Sequence, residues 1–90
     1  MSRPQFTEQA WEEYMYWHSQ DRKTLIKINK LIADIMRYGA LEGLGKPEPL
    51  KGGLRGYFSR RINDKDRLVY KILSDDVIEI YSCRGHYSDK

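Results

Sequence analysis

Glu48, Lys51, Arg61, Arg67, His86 and Tyr87 are the residues of this chain whose types and spacing suit chemistry at a phosphodiester. Cutting RNA without a metal needs a base to take the 2′-hydroxyl proton and cations to hold the phosphate as charge builds on its oxygens. It also needs an acid to protonate the departing 5′-oxygen, and a surface that holds the nucleotides in line for attack. Glu48 lies in Lys46-Pro47-Glu48-Pro49-Leu50-Lys51, where prolines on both sides restrict the backbone and fix where its carboxylate points. It is the candidate base, and Lys51 is near enough to favour its ionised form or to touch phosphate. Arg61 and Arg67 are the candidate clamps, because guanidinium forks match phosphate oxygens in pairs. His86, in Arg84-Gly85-His86-Tyr87, is the candidate acid, since an imidazole has an ordinary pKa near ~6.5. Tyr87 is suited to positioning the phosphate or stacking on a base.

Each residue has a plainer reading when taken alone. Glu48 is equally an ordinary loop glutamate. Arg61 or Arg67 is equally a cross-strand partner of Asp64 or Asp66. His86 lies close to the chain end, where residues fray. Cys83 and His86 have the spacing of two metal ligands, but the sequence offers nothing to complete a site, so no metal and no cofactor is expected. His18 reads as structural.

The elements that must position these groups follow from periodicity. Thr7 is a candidate N-cap, after which Ala10, Trp11, Tyr14, Trp17 and His18 recur at helical spacing, a stripe expected to face the core. Ser19 or Asp21 caps a second helix, in which Leu25, Ile28, Leu31, Ile32, Ile35 and Met36 form one apolar stripe that Gly39 ends. A helical hairpin within residues 7–38 results. Pro4-Gln5-Phe6 is compatible with an edge strand. Residues 39–53, rich in glycine and proline, read as a loop.

From residue 54 the period changes to two. Residues 54–62, 67–73 and 77–83 read as three strands of an antiparallel meander, with turns at Asn63-Asp64-Lys65-Asp66 and Ser74-Asp75-Asp76. If Ile62, Leu68, Tyr70, Ile72, Ile78 and Ile80 face the helices, then Tyr57, Ser59, Arg61, Arg67, Val69, Lys71, Tyr81 and Cys83 face away. For Arg61 and Arg67 to share that face the first turn must be odd, with three or five residues. Arg60 falls on the apolar face, and the pattern offers a sheet edge or a bulge to accommodate it. The expected architecture is α+β, a single domain over residues 1–90, with two N-terminal helices on one face of a small antiparallel sheet. The other face is expected to be bare and basic.

Composition narrows the classes. Ninety residues bury roughly 65% of their unfolded surface, enough for one modest core but not for a large enclosed pocket. A doubly wound nucleotide-cofactor enzyme is thereby excluded, and any site is an open groove. No apolar run has the length of a membrane span, and the first residues carry no secretory pattern. The lone Cys83 rules out an internal disulfide and fits a reducing cytoplasm. The net charge of +3 is unevenly spread. Residues 1–45 are neutral, residues 46–71 carry +5 and residues 72–90 carry −2. A basic stretch of that kind suits a polyanion, and an extended RNA fits it best. The neutral helical half argues against a DNA-reading helix-turn-helix.

Taken together, four segments are specific. They are Gly45-Lys46-Pro47-Glu48-Pro49-Leu50-Lys51, Ser59-Arg60-Arg61-Ile62, Arg67-Leu68-Val69-Tyr70 and Cys83-Arg84-Gly85-His86-Tyr87. With Trp11-Glu12-Glu13-Tyr14, Tyr16-Trp17 and Lys27-Ile28-Asn29-Lys30-Leu31-Ile32, they resemble the YoeB/Txe family of bacterial type II toxins, within the RelE superfamily. The resemblance spans nearly the whole chain. It implies a microbial-ribonuclease-like fold and an endoribonuclease that enters the ribosomal A site and cuts translated mRNA. It implies a YefM-type antitoxin as partner, a homodimeric tendency, and contact with operator DNA only through the antitoxin complex, with no membrane association. It assigns Glu48 as general base, Arg61 and Arg67 as phosphate stabilisers, His86 as acid, and Lys51 and Tyr87 as RNA contacts. Gly85 departs from relatives that carry an aromatic residue there, and Ser88-Asp89-Lys90 extends past the His-Tyr end. Two other classes share these features. One is a non-catalytic inhibitor resembling the ParE gyrase poisons, and the other is a plain RNA-binding module.

Overall fold

In the computed structural model, which describes residues 3–74 and 77–86, the element order is β1 (Arg3–Phe6), α1 (Glu8–Gln20), α2 (Arg22–Tyr38), β2 (Glu48–Pro49), a 3-10 turn (Gly52–Leu54), β3 (Phe58–Arg61), β4 (Arg67–Ser74) and β5 (Val77–Ser82). Thr7 caps α1 as expected. Its hydroxyl accepts from Ala10 N at 3.0 Å and donates to Tyr81 O at 2.9 Å, so one side chain ties the helix start to the last strand. Asp21 caps α2, its carboxylate accepting from the Thr24 amide at 3.2 Å and the Thr24 hydroxyl at 2.8 Å. Those bonds, the hydroxyl first, hold the Asp21 carboxyl below its ordinary pKa. Gly39, at φ 94°, ends α2.

The sheet has five strands in the order β1-β5-β4-β3-β2. β3, β4 and β5 are the expected antiparallel meander. β1 is the edge strand and runs parallel to β5. The short β2, in the stretch read as loop, forms the other edge by pairing Glu48 with Ser59 and Pro49 with Phe58. β3 begins at Phe58 rather than at residue 54, because Gly52 and Gly56 take positive φ and curl the preceding chain into turns. Five residues separate β3 from β4, one of the two odd lengths the alternation requires, and Arg61 stands directly opposite Arg67. Asp75 and Asp76 of the second expected turn lie outside the described residues.

The core lies between the helices and the sheet. It joins Leu25, Ile28, Leu31, Ile32 and Ile35 of α2 to Leu68, Tyr70, Ile78 and Ile80, with Ala10 and Trp17 from α1. Trp11 departs from the expected stripe. It is half exposed, stacked on Tyr14 with ring centroids 5.7 Å apart and edge-on to Phe6, so it caps the core from outside. His18 is exposed as well.

Three strand residues depart from simple alternation. Ile72, assigned to the helix side, is exposed at the far end of β4, next to an irregularity in its pairing with β5. Cys83, assigned to the open face, is fully buried in the core. A bulge explains this, since Val69 pairs with Ser82 while Tyr70 pairs with Ile80. The extra residue shifts the period by one and turns Cys83 to the helix side. Arg60 occupies neither an edge nor a bulge. It faces the helices, fully buried, and all five of its N–H donors are used. Nε donates to Tyr70 Oη (2.9 Å), Nη1 to Asp34 Oδ2 (2.6 Å) and Leu44 O (3.0 Å), and Nη2 to Gly39 O (2.8 Å) and Glu42 O (2.7 Å). Burial pushes the Tyr70 phenol above its ordinary pKa. It therefore stays neutral and donates to Ala40 O at 2.6 Å.

The expected bare face is not bare. Leu50, Val69, Ser59 and Ser82 are buried yet stand apart from the helix-side core. They form a small floor on the open side of the sheet, where the backbone of Leu50 bonds to Tyr57 O at 2.9 Å.

Trp17 links the core to the C-terminal segment, its Nε1 donating to Cys83 O at 2.8 Å in a buried setting. Trp17→Phe removes that buried hydrogen bond, at an expected cost of about 1 kcal/mol. Urea unfolding checks this. The midpoint should fall with an unchanged slope, and a midpoint equal to wild type would show that the bond adds nothing to stability.

Candidate active site

Five of the six residues singled out from the sequence lie in the described structure, and the sheet explains how they converge. Glu48 pairs with Ser59, and Ser59 shares its face with Arg61 two residues on, so Glu48 and Arg61 point to the open side. Arg67 is directly opposite Arg61 and on the same side. Like charges facing each other across a ladder weaken a sheet, and an anion between them would relieve that repulsion. Tyr87 lies outside the described residues.

The approach to Glu48 is held from both ends. Gly45 O accepts from Arg61 N at 2.6 Å. A Cβ at Gly45 would press on Leu31, Arg60 and the Arg61 carbonyl, so only glycine fits so close to β3. Lys46 then takes φ 51°, a left-handed conformation costly for a side-chain-bearing residue, and the chain enters Pro47-Glu48-Pro49. Beyond β2 the open side is grooved. One hollow of about 290 Å³ is lined by Glu48, Pro49, Leu50 and Lys51, and another of about 310 Å³ by Leu50, Lys51, Gly52 and Arg55. These are shallow clefts that share Leu50 and Lys51, as expected of a chain too small for an enclosed pocket.

Arg67 is half-buried and its guanidinium is fixed by carbonyls, Nη1 donating to Asn63 O (2.7 Å) and Asp66 O (3.1 Å). This replaces the expected alternative in which it pairs with Asp64 or Asp66. The rest of its fork makes no hydrogen bond within the described residues. The segment carrying His86 is docked beside it, since Arg67 N donates to Gly85 O at 3.0 Å and Gly85 N to the Asp66 carboxylate at 2.7 Å. On the other flank Cys83 N donates to Glu13 Oε1 at 2.8 Å, and the Arg84 guanidinium lies 3.6 Å from the Tyr16 ring centroid. His86 itself is half-buried. Glu48, Arg61 and Arg67 thus share one end of the open face, and the segment that carries His86 is docked beside Arg67. Among the described residues no group of three His, Cys, Asp or Glu side chains is placed to hold a metal ion.

A family model describing the YoeB-like toxin of bacterial type II toxin–antitoxin systems matches residues 6–87. The chain belongs to that family. The YoeB toxin of Streptomyces coelicolor is 55% identical over 82 residues, which make up 91% of this chain and 95% of that protein. The YoeB toxin of Escherichia coli K12 is 48% identical, with the same shares covered. Among solved structures, YoeB in the heterotetrameric YoeB–YefM complex from Staphylococcus aureus superposes with a TM-score of 0.89 at 50% identity. The match covers 97% of this chain and 99% of that one. YafQ of Escherichia coli, at 16% identity and a TM-score of 0.71, shares the fold alone.

Within this YoeB-like frame, sequence reasoning missed the residues that dock the His86 segment. Asp66 read as a turn residue or as a charge partner of Arg61 or Arg67, and nothing in the spacing of Glu13 and Trp17 links them to a position some seventy residues away. The described chain contains no helix long and apolar enough to cross a membrane.

Proposed function

We propose that this chain is the toxin of a type II toxin–antitoxin pair and an endoribonuclease that cuts translated mRNA in the ribosomal A site, without a cofactor. The observation that carries the reading is the gathering of Glu48, Arg61, Arg67 and the His86 segment at one end of a grooved sheet face. Glu48 takes the proton from the 2′-hydroxyl. The oxygen so exposed attacks the adjacent phosphorus as the bond to the 5′-oxygen breaks. His86 gives its proton to that leaving oxygen, and the products are a 2′,3′-cyclic phosphate and a free 5′-hydroxyl. Arg61 and Arg67 hold the charge that builds on the phosphate oxygens. Lys51 and Tyr87 hold the flanking RNA.

The Staphylococcus aureus relative assembles with YefM and also forms a dimer. An antitoxin of the YefM type is accordingly proposed as the partner of this chain, along with self-association. Operator DNA is reached only through the antitoxin complex, and the setting is the cytoplasm. Primer extension on an actively translated mRNA tests the reading. Discrete cuts inside reading frames, lost on ribosome-free RNA, are expected. Arrested growth with no cuts would overturn it and point to a binding inhibitor such as a gyrase poison.

Arg67→Lys keeps the charge but loses the fork. A point charge cannot bond two carbonyls and two phosphate oxygens in one plane, so cleavage should fall by about 10- to 100-fold. Unchanged turnover on ribosome-bound mRNA would mean that Arg67 supplies charge alone.

A further inference from the structure

Asp66 stands next to Arg67, and the proposed chemistry does not use it. Its backbone already closes the β3–β4 connection. Asp66 N donates to Asn63 Oδ1 at 2.8 Å, and Asp66 O accepts from Ile62 N at 3.0 Å and from the Arg67 guanidinium at 3.1 Å. The loop is therefore satisfied without the Asp66 side chain. That side chain reaches across to the C-terminal segment instead, where its Oδ1 accepts from Gly85 N at 2.7 Å. Gly85 has φ 79°, a left-handed conformation in a residue without a Cβ, so the chain at this point needs an external hold to keep one path. Cys83, two residues earlier, is held on α1 by Glu13 and Trp17. Gly85 is held by Asp66 and by the Arg67 amide. His86 follows directly.

We infer that Asp66 is a positioning residue, whose carboxylate docks Gly85 so that the His86 imidazole stands in register with the phosphate held by Arg61 and Arg67. This rests on the endoribonuclease reading above. One short turn then orients both the Arg67 clamp and the segment that carries the acid. Asp66 O holds the Arg67 fork, and Asp66 Oδ1 holds the Gly85 amide that precedes His86. A displacement of about 1 Å at a proton donor is enough to lower a rate by up to about 100-fold.

The test compares Asp66→Ala, Asp66→Asn and His86→Ala on ribosome-bound mRNA, with wild type beside them. Two substrates are used, one with the ordinary 5′-oxygen at the cut and one with sulfur in its place. A thiolate leaves without being protonated, so the sulfur substrate does not need the acid. On the oxygen substrate, Asp66→Ala should lower the cleavage rate by about 10- to 100-fold with ribosome affinity and urea midpoint near wild type. Asp66→Asn, whose amide oxygen still accepts from Gly85 N, should keep most of the rate. On the sulfur substrate, both Asp66→Ala and His86→Ala should return close to wild type. Full activity of Asp66→Ala on oxygen would overturn the inference. So would a deficit of Asp66→Ala that persists on sulfur while that of His86→Ala disappears. If His86→Ala gains nothing from sulfur, the acid assignment itself fails and takes this inference with it. Should Asp66→Ala unfold, Asp66→Glu, which overreaches Gly85 N by one methylene, carries the same comparison.

Discussion

Glu48→Gln is expected to lower the single-turnover rate of mRNA cleavage by about 10²- to 10⁴-fold while leaving ribosome affinity within about twofold of wild type. Glutamine matches glutamate in shape and can sit in the same β2–β3 pairing, because that ladder uses the backbone of residue 48 and not its side chain. The side chain keeps its shape but loses its negative charge and its ability to take a proton. Pro47 and Pro49 keep the local path in both proteins, and Gly45 O stays bonded to Arg61 N. A selective loss of rate therefore isolates the base from the scaffold. Quench-flow on programmed ribosomes, with binding measured separately by filter retention, separates the two quantities. Equal losses in rate and affinity would make Glu48 an RNA contact and remove it from the chemistry.

The elements that rest on local pattern were legible in the sequence. Thr7 and Asp21 cap their helices, Gly39 stops α2, and the demand that Arg61 and Arg67 share a face required an odd connection, which has five residues. What was not legible depends on contacts distant in sequence. Two residues cannot reveal β2 by period, and the flanking prolines argue against a strand unless it is at an edge. Cys83 was misassigned because a single bulged residue near Tyr81 inverts the parity of all that follows. Trp11 looked like core because its spacing is helical, but its ring lies outside Phe6 and Tyr14. At the candidate site the side-chain types were readable from motifs. The segment that carries His86 is docked by Asp66, Glu13 and Trp17, whose partners are 19, 70 and 66 positions away along the chain. No one-dimensional periodicity carries that information.

Arg60 marks the widest gap between pattern and structure, and its replacement has the largest expected effect on stability. Arg60→Lys should cost about 2–4 kcal/mol, since it keeps the charge facing Asp34 but gives up hydrogen bonds at about 1–2 kcal/mol each. The guanidinium serves five acceptors at once, from α2, the sheet and three carbonyls of the loop after α2. An ammonium has three donors and no fork, so at least two of the five acceptors lose their partner. A cost of that size takes up a large part of the 5–15 kcal/mol that a domain typically has. The loss is also directed at the site. Asp34, which pairs with Arg60, holds the Leu44 amide at 2.7 Å, and Leu44 precedes the Gly45-Lys46 bend that aims Glu48. Arg60→Lys is thus expected to loosen residues 39–45 first, exposing the Leu44 amide to hydrogen exchange at denaturant levels where the α2 core is still protected. Activity should fall in the same range. Urea unfolding and residue-resolved exchange measure the two effects separately. A variant within about 1 kcal/mol of wild type, with the Leu44 amide still protected, would show that the loop is held by its own backbone and that Arg60 merely fills space beneath it.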